Sequence, residues 1–227
     1  MSPASRKNKK ITGFAYSPGR MEALSDGVIA IVATILVLLL EVPETIKSEA
    51  QIIELLVNKF HVYIAFVISF FIIGIYWWTH HIIFHFIDKT DRTFAILNLL
   101  FLFFVALVPF PTDMITALTA TGEEEISTLI YGSVQIGVIV SLLLMWGHAK
   151  RRKLIRNGTS DLTIKRVSRM LSISLGIYLV SLIIALISPI FDLFIFLAVP
   201  VFIFIYETNL SKVEKAGEKH DNEENKK

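Results

Sequence analysis

The first hydrophobic segment of this chain carries Arg20, Glu22, Ser25, Asp26, Thr34 and Glu41 around a run from Gly27 to Leu40 that is otherwise almost wholly Ile, Val, Leu and Ala. A second apolar segment holds His80, His81 and His85, and a third holds Asn98. Three kinds of chemistry are open to these side chains. Asp, His, Ser and Asn can satisfy one another in a buried hydrogen-bonded network. Asp26 and His81 can carry a proton. His81 and His85, at i and i+4, can face a metal from one side of a helix. Ionisable groups inside a membrane span cost several kcal/mol or more and turn toward protein or water rather than lipid. An Asp one or two turns inside an apolar helix therefore needs a partner. The simplest alternative is a helix-start residue near the positive end of the helix dipole.

The elements that must position these residues are membrane helices. The 227 residues are 54% hydrophobic and include 17 Phe. Runs of about 20 apolar residues read as bilayer spans. Six are expected, at Arg20–Leu40, Lys59–Ile87, Arg92–Met114, Ser127–His148, Lys165–Ser188 and Phe191–Tyr206, the last two joined by a tight turn at Ser188-Pro189-Ile190. The first run is long and lacks a small-residue cleavage pattern, so it reads as a retained span rather than a signal peptide. Residues 1–16 and 209–227 are polar and charged and read as tails on either side of a six-span domain over 17–208. The net charge of +2 leaves no nucleic-acid footprint. With no cysteine there is neither a disulfide framework nor a thiolate metal site.

Basic residues set the orientation. With six spans, all of the 22 Lys and Arg except Lys47 and Lys59 fall on one side, Lys150–Arg156 most densely. Both termini are then cytoplasmic, and Glu41, Glu44, Glu49, Glu54 and Glu123–Glu125 lie opposite. The Lys150–Arg156 loop could touch anionic membrane lipid, although topogenesis alone accounts for it. At 1.5 Å per residue, Ser25 and Asp26 sit about 8–10 Å inside the first span. His80, His81 and Asn98 fall at a similar depth in the second and third. A network of Arg20, Ser25, Asp26, His80, His81 and Asn98 is the expectation. Tyr76, Trp77 and Trp78 read as packing and belt residues.

Arg20-Met21-Glu22-Ala23-Leu24-Ser25-Asp26 resembles the Arg-x-x-x-Phe-Ser-Asp signature of the transmembrane protein 175 potassium-channel family, with Leu24 in place of Phe. The likeness runs on through Gly27–Ile31 to Thr34 and Leu38. Trp77-x-x-His80-His81, Asn98 and the six-span length are also similar to prokaryotic members. The resemblance implies a multi-pass protein of a prokaryotic plasma membrane that passes potassium ions and uses no cofactor. It implies an all-α homotetramer, with the first helix of each subunit lining a central pore. It also maps the pore constriction onto Ile31, Thr34 and Leu38. Rings of Ile31 and Leu38 would bar ions by dewetting. A ring of Thr34 hydroxyls would partly replace the hydration of potassium, which is held less tightly than that of sodium.

Helix geometry is compatible with that assignment. At about 100° per residue, Ile31 and Leu38 differ by about 20° in azimuth, Thr34 lies about 60° from Ile31, and Asp26 about 140° away. Each residue alone also fits ordinary packing, and a Thr in a span commonly bonds its own backbone. The competing function is a proton-coupled secondary transporter using Asp26 and His81. It would ordinarily show inverted repeats and Gly- or Pro-broken span pairs. Only Pro109, Pro111 and Pro200 are candidate breaks, and no repeat is evident. A membrane metalloenzyme lacks a third ligand beside the histidine pair, so no metal site is expected.

Overall fold

A computed structural model describes residues 17–43, 46–118 and 125–187, together with 195, 198, 199, 201–203, 205 and 206. Its helices are α1 (Pro18–Ile35), α2 (Glu49–Asn58), α3 (Phe60–His85), α4 (Arg92–Leu107), α5 (Pro109–Leu118), α6 (Glu125–Arg152) and α7 (Asp161–Ala185). A 3-10 turn at Leu36–Leu39 continues α1. Among the described residues, five helices or continuous helix pairs are long and apolar enough to cross a membrane: Pro18–Leu39, Phe60–His85, Arg92–Leu118, Glu125–Arg152 and Asp161–Ala185. The chain is an integral membrane protein. Most of the sixth expected span, the turn at 188–190 and both tails lie outside the described residues. Of the sixth, Val199 and Ile203 are fully buried and helical.

Local chemistry explains where these helices begin and break. Pro18 occupies the first turn of α1, where its missing N–H costs nothing. Asp91 and Ser160 cap α4 and α7, accepting hydrogen bonds from the Phe94 N–H (2.8 Å) and the Thr163 N–H (3.1 Å). The third expected span is longer than the apolar run alone suggests, and it is broken. Pro109 cannot donate to the Val105 carbonyl, which accepts from the Val108 N–H instead. The helix resumes as α5. The fourth expected span extends beyond its sequence limits at both ends and the fifth at its start, because charged and capping residues prolong a helix past its apolar stretch, while the third runs on through Ile115–Leu118.

α6 is the centre of the bundle, packing on α4 and α7, while α1 lies across α3 and α4. Half of the most apolar stretch of α6 is buried inside the subunit, against 22% for α1. Close approach of α4 and α6 depends on Gly137, where a Cβ would run into the ring of Phe104. α6 ends in a Schellman turn: the Leu154 N–H bonds the Ala149 carbonyl (2.9 Å) and the Lys153 N–H the Lys150 carbonyl (3.4 Å). Lys153 takes the left-handed position with φ 54°. The strand-like segment beyond it pairs with the α3–α4 connection. The Asp88 N–H bonds the Leu154 carbonyl and the Arg156 N–H bonds the Phe86 carbonyl (2.9 and 2.8 Å) around an antiparallel Ile87–Ile155 bridge.

Candidate functional site

α1 has two unlike faces. Met21, Ser25, Ile29 and Val32 are buried along one, and Leu36 continues it. Arg20, Leu24, Gly27, Ile31, Thr34 and Leu38 are exposed along the other, Ile31 to 59% and Leu38 to 67%. The 3-10 turn alters the helix phase before Leu38. At about 120° per residue over that turn, Leu38 swings to about 40° on the far side of Ile31, instead of the expected 20° on the Thr34 side. It stays on the exposed face. The Thr34 hydroxyl donates to the carbonyls of Ile31 (2.8 Å) and Ala30 (3.0 Å). Its proton is therefore occupied by the helix, and its oxygen lone pairs are left to accept from, or coordinate, whatever faces it.

On the buried face the expected polar residues divide. Ser25, Asn98 and His80 are buried and bonded together from three spans. The Ser25 hydroxyl donates to the Met21 carbonyl (2.9 Å) and accepts from Asn98 Nδ2 (3.0 Å). Asn98 Oδ1 accepts from His80 Nε2 (2.8 Å). This sequence of donors requires a proton on Nε2 of His80. In the neutral ring Nδ1 would then carry only a lone pair. The ring is stacked against Phe84 and Phe101, with centroids 4.3 and 5.0 Å away.

Asp26, His81 and Arg20 stand outside that triad. Asp26 is exposed on the flank of α1 and accepts from Trp77 Nε1 (2.9 Å). His81 Nδ1 donates to Glu22 (2.9 Å) and stacks on Trp77. Arg20 lies exposed at the start of the opposite stripe. The reason is a single helix step: Ser25 and Asp26, like His80 and His81, are about 100° apart, so only one member of each pair can face inward. A desolvated carboxylate would also cost more than the hydroxyl that takes the inner place. Asp26 and His81, the pair required for proton coupling, have different partners. Glu22–His81 and Asp26–Trp77 are instead two rungs, one turn apart, between antiparallel α1 and α3.

Two groups of hydrogen bonds had no place in the sequence-based expectation. Tyr76, read there with Trp77 and Trp78 as packing and belt residues, is 1% exposed. Its hydroxyl donates to Gln135 Oε1, so Tyr178 donates to Tyr76 (3.0 Å), linking α3, α6 and α7. Ser69 joins Thr112 (3.0 Å) and Tyr131 (3.1 Å) in the same interior. At the end of the bundle away from the basic loop, a cavity of about 650 Å³ is lined by Leu38, Glu41, Lys59, His61, Asp113 and Thr116 among others. Among the described residues no three His, Asp or Glu side chains are grouped to hold a metal.

Comparison with known proteins turns on the segment that carries these features. Residues 20–109, from Arg20 through α4, match the family described as the endosomal/lysosomal potassium channel TMEM175. The chain is 33% identical over 153 residues to a potassium channel of Streptomyces collinus, covering 67% of this chain and 74% of that one. It is 30% identical over 172 residues to a potassium channel of Chamaesiphon minutus, covering 75% and 85%. This chain belongs to the TMEM175 family. Its fold matches the crystal structure of a lysosomal potassium-selective channel TMEM175 homolog from Chamaesiphon minutus with a TM-score of 0.72, at 27% identity over 83% of this chain and 96% of that one. The TMEM175 match takes in both faces of α1, both rungs to α3 and the Ser25–Asn98–His80 triad.

Proposed function

We propose that this TMEM175 member is a potassium-selective cation channel of a prokaryotic plasma membrane, conducting passively through a pore lined by α1. The observation that carries the reading is the exposed Ile31–Thr34–Leu38 stripe on the least buried of the five candidate spans. A helix so little covered by its own subunit is suited to a central position among copies of the chain. Four α1 helices around an axis would bring the stripe to a common lumen. Ile31 and Leu38 supply apolar rings that ions cross only when the lumen is wetted. Thr34, with its proton held by the helix, supplies a ring of oxygen acceptors between them. Potassium gives up its hydration water more readily than sodium, so weak hydroxyl acceptors favour it.

In this reading the domain over 17–208 has six spans, with both termini and the basic loop in the cytoplasm. The polar rungs are structural. Glu22–His81, Asp26–Trp77 and Ser25–Asn98–His80 fix the azimuth of α1, so that its other face is presented to the axis. Relatives named as potassium channels, and a solved structure described as a potassium-selective channel homolog, support the ion chosen. A channel needs no cofactor, and none of the described polar groups is assigned a catalytic step.

Reconstitution tests the proposal. Purified protein in liposomes is expected to pass potassium without ATP or a coupled solute, and bi-ionic reversal potentials are expected to favour potassium over sodium. Thr34→Ala keeps a good helix former and is expected to reduce that preference several-fold while leaving the protein folded. Solute-coupled uptake with no ion current would overturn the channel reading. An unchanged preference in Thr34→Ala would remove the hydroxyl ring from selection.

A further inference from the structure

α2 is built as a helix in its own right, yet none of its residues is buried. Ser48 Oγ accepts from the Gln51 N–H (3.4 Å), and Gln51 Oε1 accepts from the Lys47 N–H (2.7 Å), so its start is capped from both directions. Ile52, Ile53, Leu56 and Val57 are exposed to between 45% and 68%. Their spacing of i, i+1, i+4 and i+5 places them on one face. Gln51, Glu54 and Asn58 follow at i, i+3 and i+7 on the other. In water such a helix would hold four large apolar side chains against solvent without compensation. Ten residues at 1.5 Å each are about 15 Å, half the hydrocarbon core of a bilayer, so α2 cannot cross it.

What covers the apolar face is indicated by its neighbour. α3 begins two residues after α2 ends, and its exposed Phe60, Val67 and Phe71 run at helical spacing down a membrane span. The apolar face of α2 is thus followed directly in the chain by an exposed apolar stripe at the end of that span. Its charges are Glu49 and Glu54, with no Lys or Arg. That composition suits a zwitterionic headgroup layer and disfavours an anionic one. Lys59, at the junction, reaches the Glu41 carbonyl (3.4 Å), three residues beyond Leu38.

We propose that α2 is an interfacial helix lying in the zwitterionic headgroup zone of the leaflet opposite the basic loop, with Ile52, Ile53, Leu56 and Val57 turned into the acyl chains. By way of Lys59 it anchors the outer end of α1 to the lipid surface. This inference rests on the membrane location alone and stands apart from the identity of the conducted ion.

The absence of cysteine makes the test direct, because single cysteines can be labelled without background. Full-length Leu56→Cys and Glu54→Cys, about 160° apart on the helix, would each carry an environment-sensitive fluorophore in phosphatidylcholine liposomes. Quenching by nitroxide placed on the acyl chains would be compared with quenching by aqueous iodide. The expected result is that Leu56→Cys is quenched several-fold more by the lipid nitroxide and Glu54→Cys several-fold more by iodide. Equal quenching at the two positions by both agents would overturn the proposal. So would shielding of Leu56→Cys from both quenchers, which would mean that a second copy of the chain covers this face.

Discussion

The two ends of the bundle are held in different ways. At the end bearing the basic loop, side chains bond across helices: Ser25–Asn98–His80, Asp26–Trp77 and Glu22–His81 join α1, α3 and α4. Asp91–His148 joins the start of α4 to α6, Trp146–Ser168 joins α6 to α7, and the two loops share backbone hydrogen bonds. At the other end, α1 tightens into a 3-10 turn, α4 breaks before Pro109, and α2 has no buried residue. The tie found there between Lys59 and the Glu41 carbonyl is long, at 3.4 Å, beside a cavity of about 650 Å³. Ser69, Thr112 and Tyr131 bond α3, α5 and α6 together in this half, but those bonds do not reach α1. Apolar packing permits small slides and rotations of a helix, whereas directional bonds fix its azimuth. For α1 the contrast therefore places stiffness at the basic end and compliance where Leu38 sits.

The strongest way to break that contrast is Asn98→Leu. The substitution removes the acceptor of His80 and the donor to Ser25 in one step, leaving two buried polar groups without their partner. The expected loss is about 2–4 kcal/mol of unfolding free energy. Hydrogen bonds within membrane bundles average less than this, so the lower part of the range is the safer expectation. Denaturation in detergent micelles would measure it. A loss no greater than that at the opposite end would remove the distinction.

Asp91 offers a second, pH-dependent test. Partial burial by itself would raise its pKa. The Phe94 N–H, His148 and Arg152 outweigh that and hold the carboxyl below its usual range. A group whose folded pKa is depressed contributes stability above its unfolded value, about pH 3.9, and loses it as the pH falls through the folded value. The basic end is therefore expected to weaken below about pH 4. Asp91→Ala is expected to cost about 1–2 kcal/mol at neutral pH through the lost cap and to flatten that part of the acid dependence. Stability curves for the two proteins between pH 3 and 7, ranges chosen to bracket about 3.9, would decide it. Parallel curves would show that Asp91 is not the group that titrates.

Much of this was legible in the residues. Rise per residue was enough to place Ser25, His80 and Asn98 at one depth, and the apolar runs located five membrane helices to within a turn or so. The signature from Arg20 to Asp26 indicated the family. Other features depended on information that one helix does not contain. Between His80 and His81 the choice is made by where α4 lies, because it brings Asn98 to one of them and leaves the other beside Glu22. Tyr76, Gln135 and Tyr178 come from three distant segments, and nothing local marks them as partners. The 3-10 turn over Leu36–Leu39 depends on backbone hydrogen bonding that an all-aliphatic sequence does not reveal. α2 was readable in principle: Ile52, Ile53, Leu56 and Val57 are spaced for a helix, but the segment is too short to register as a span.

The smallest effect is expected at the compliant end, and its smallness is the point. Lys59→Gln removes the ammonium that reaches the Glu41 carbonyl while keeping a donor of similar length. A partly exposed bond at 3.4 Å contributes little, and the expected stability change is under about 0.5 kcal/mol. The same micelle denaturation that registers Asn98→Leu would place this variant within error of the parent. Its effect should appear instead in conduction, because Lys59 ties α2 and α3 to the segment just beyond Leu38. An unstable Lys59→Gln protein would mean that this end is locked as firmly as the other. An unchanged stability with an altered open probability would locate the moving part of the proposed pore at Leu38, and leave the polar rungs as the fixed frame against which it moves.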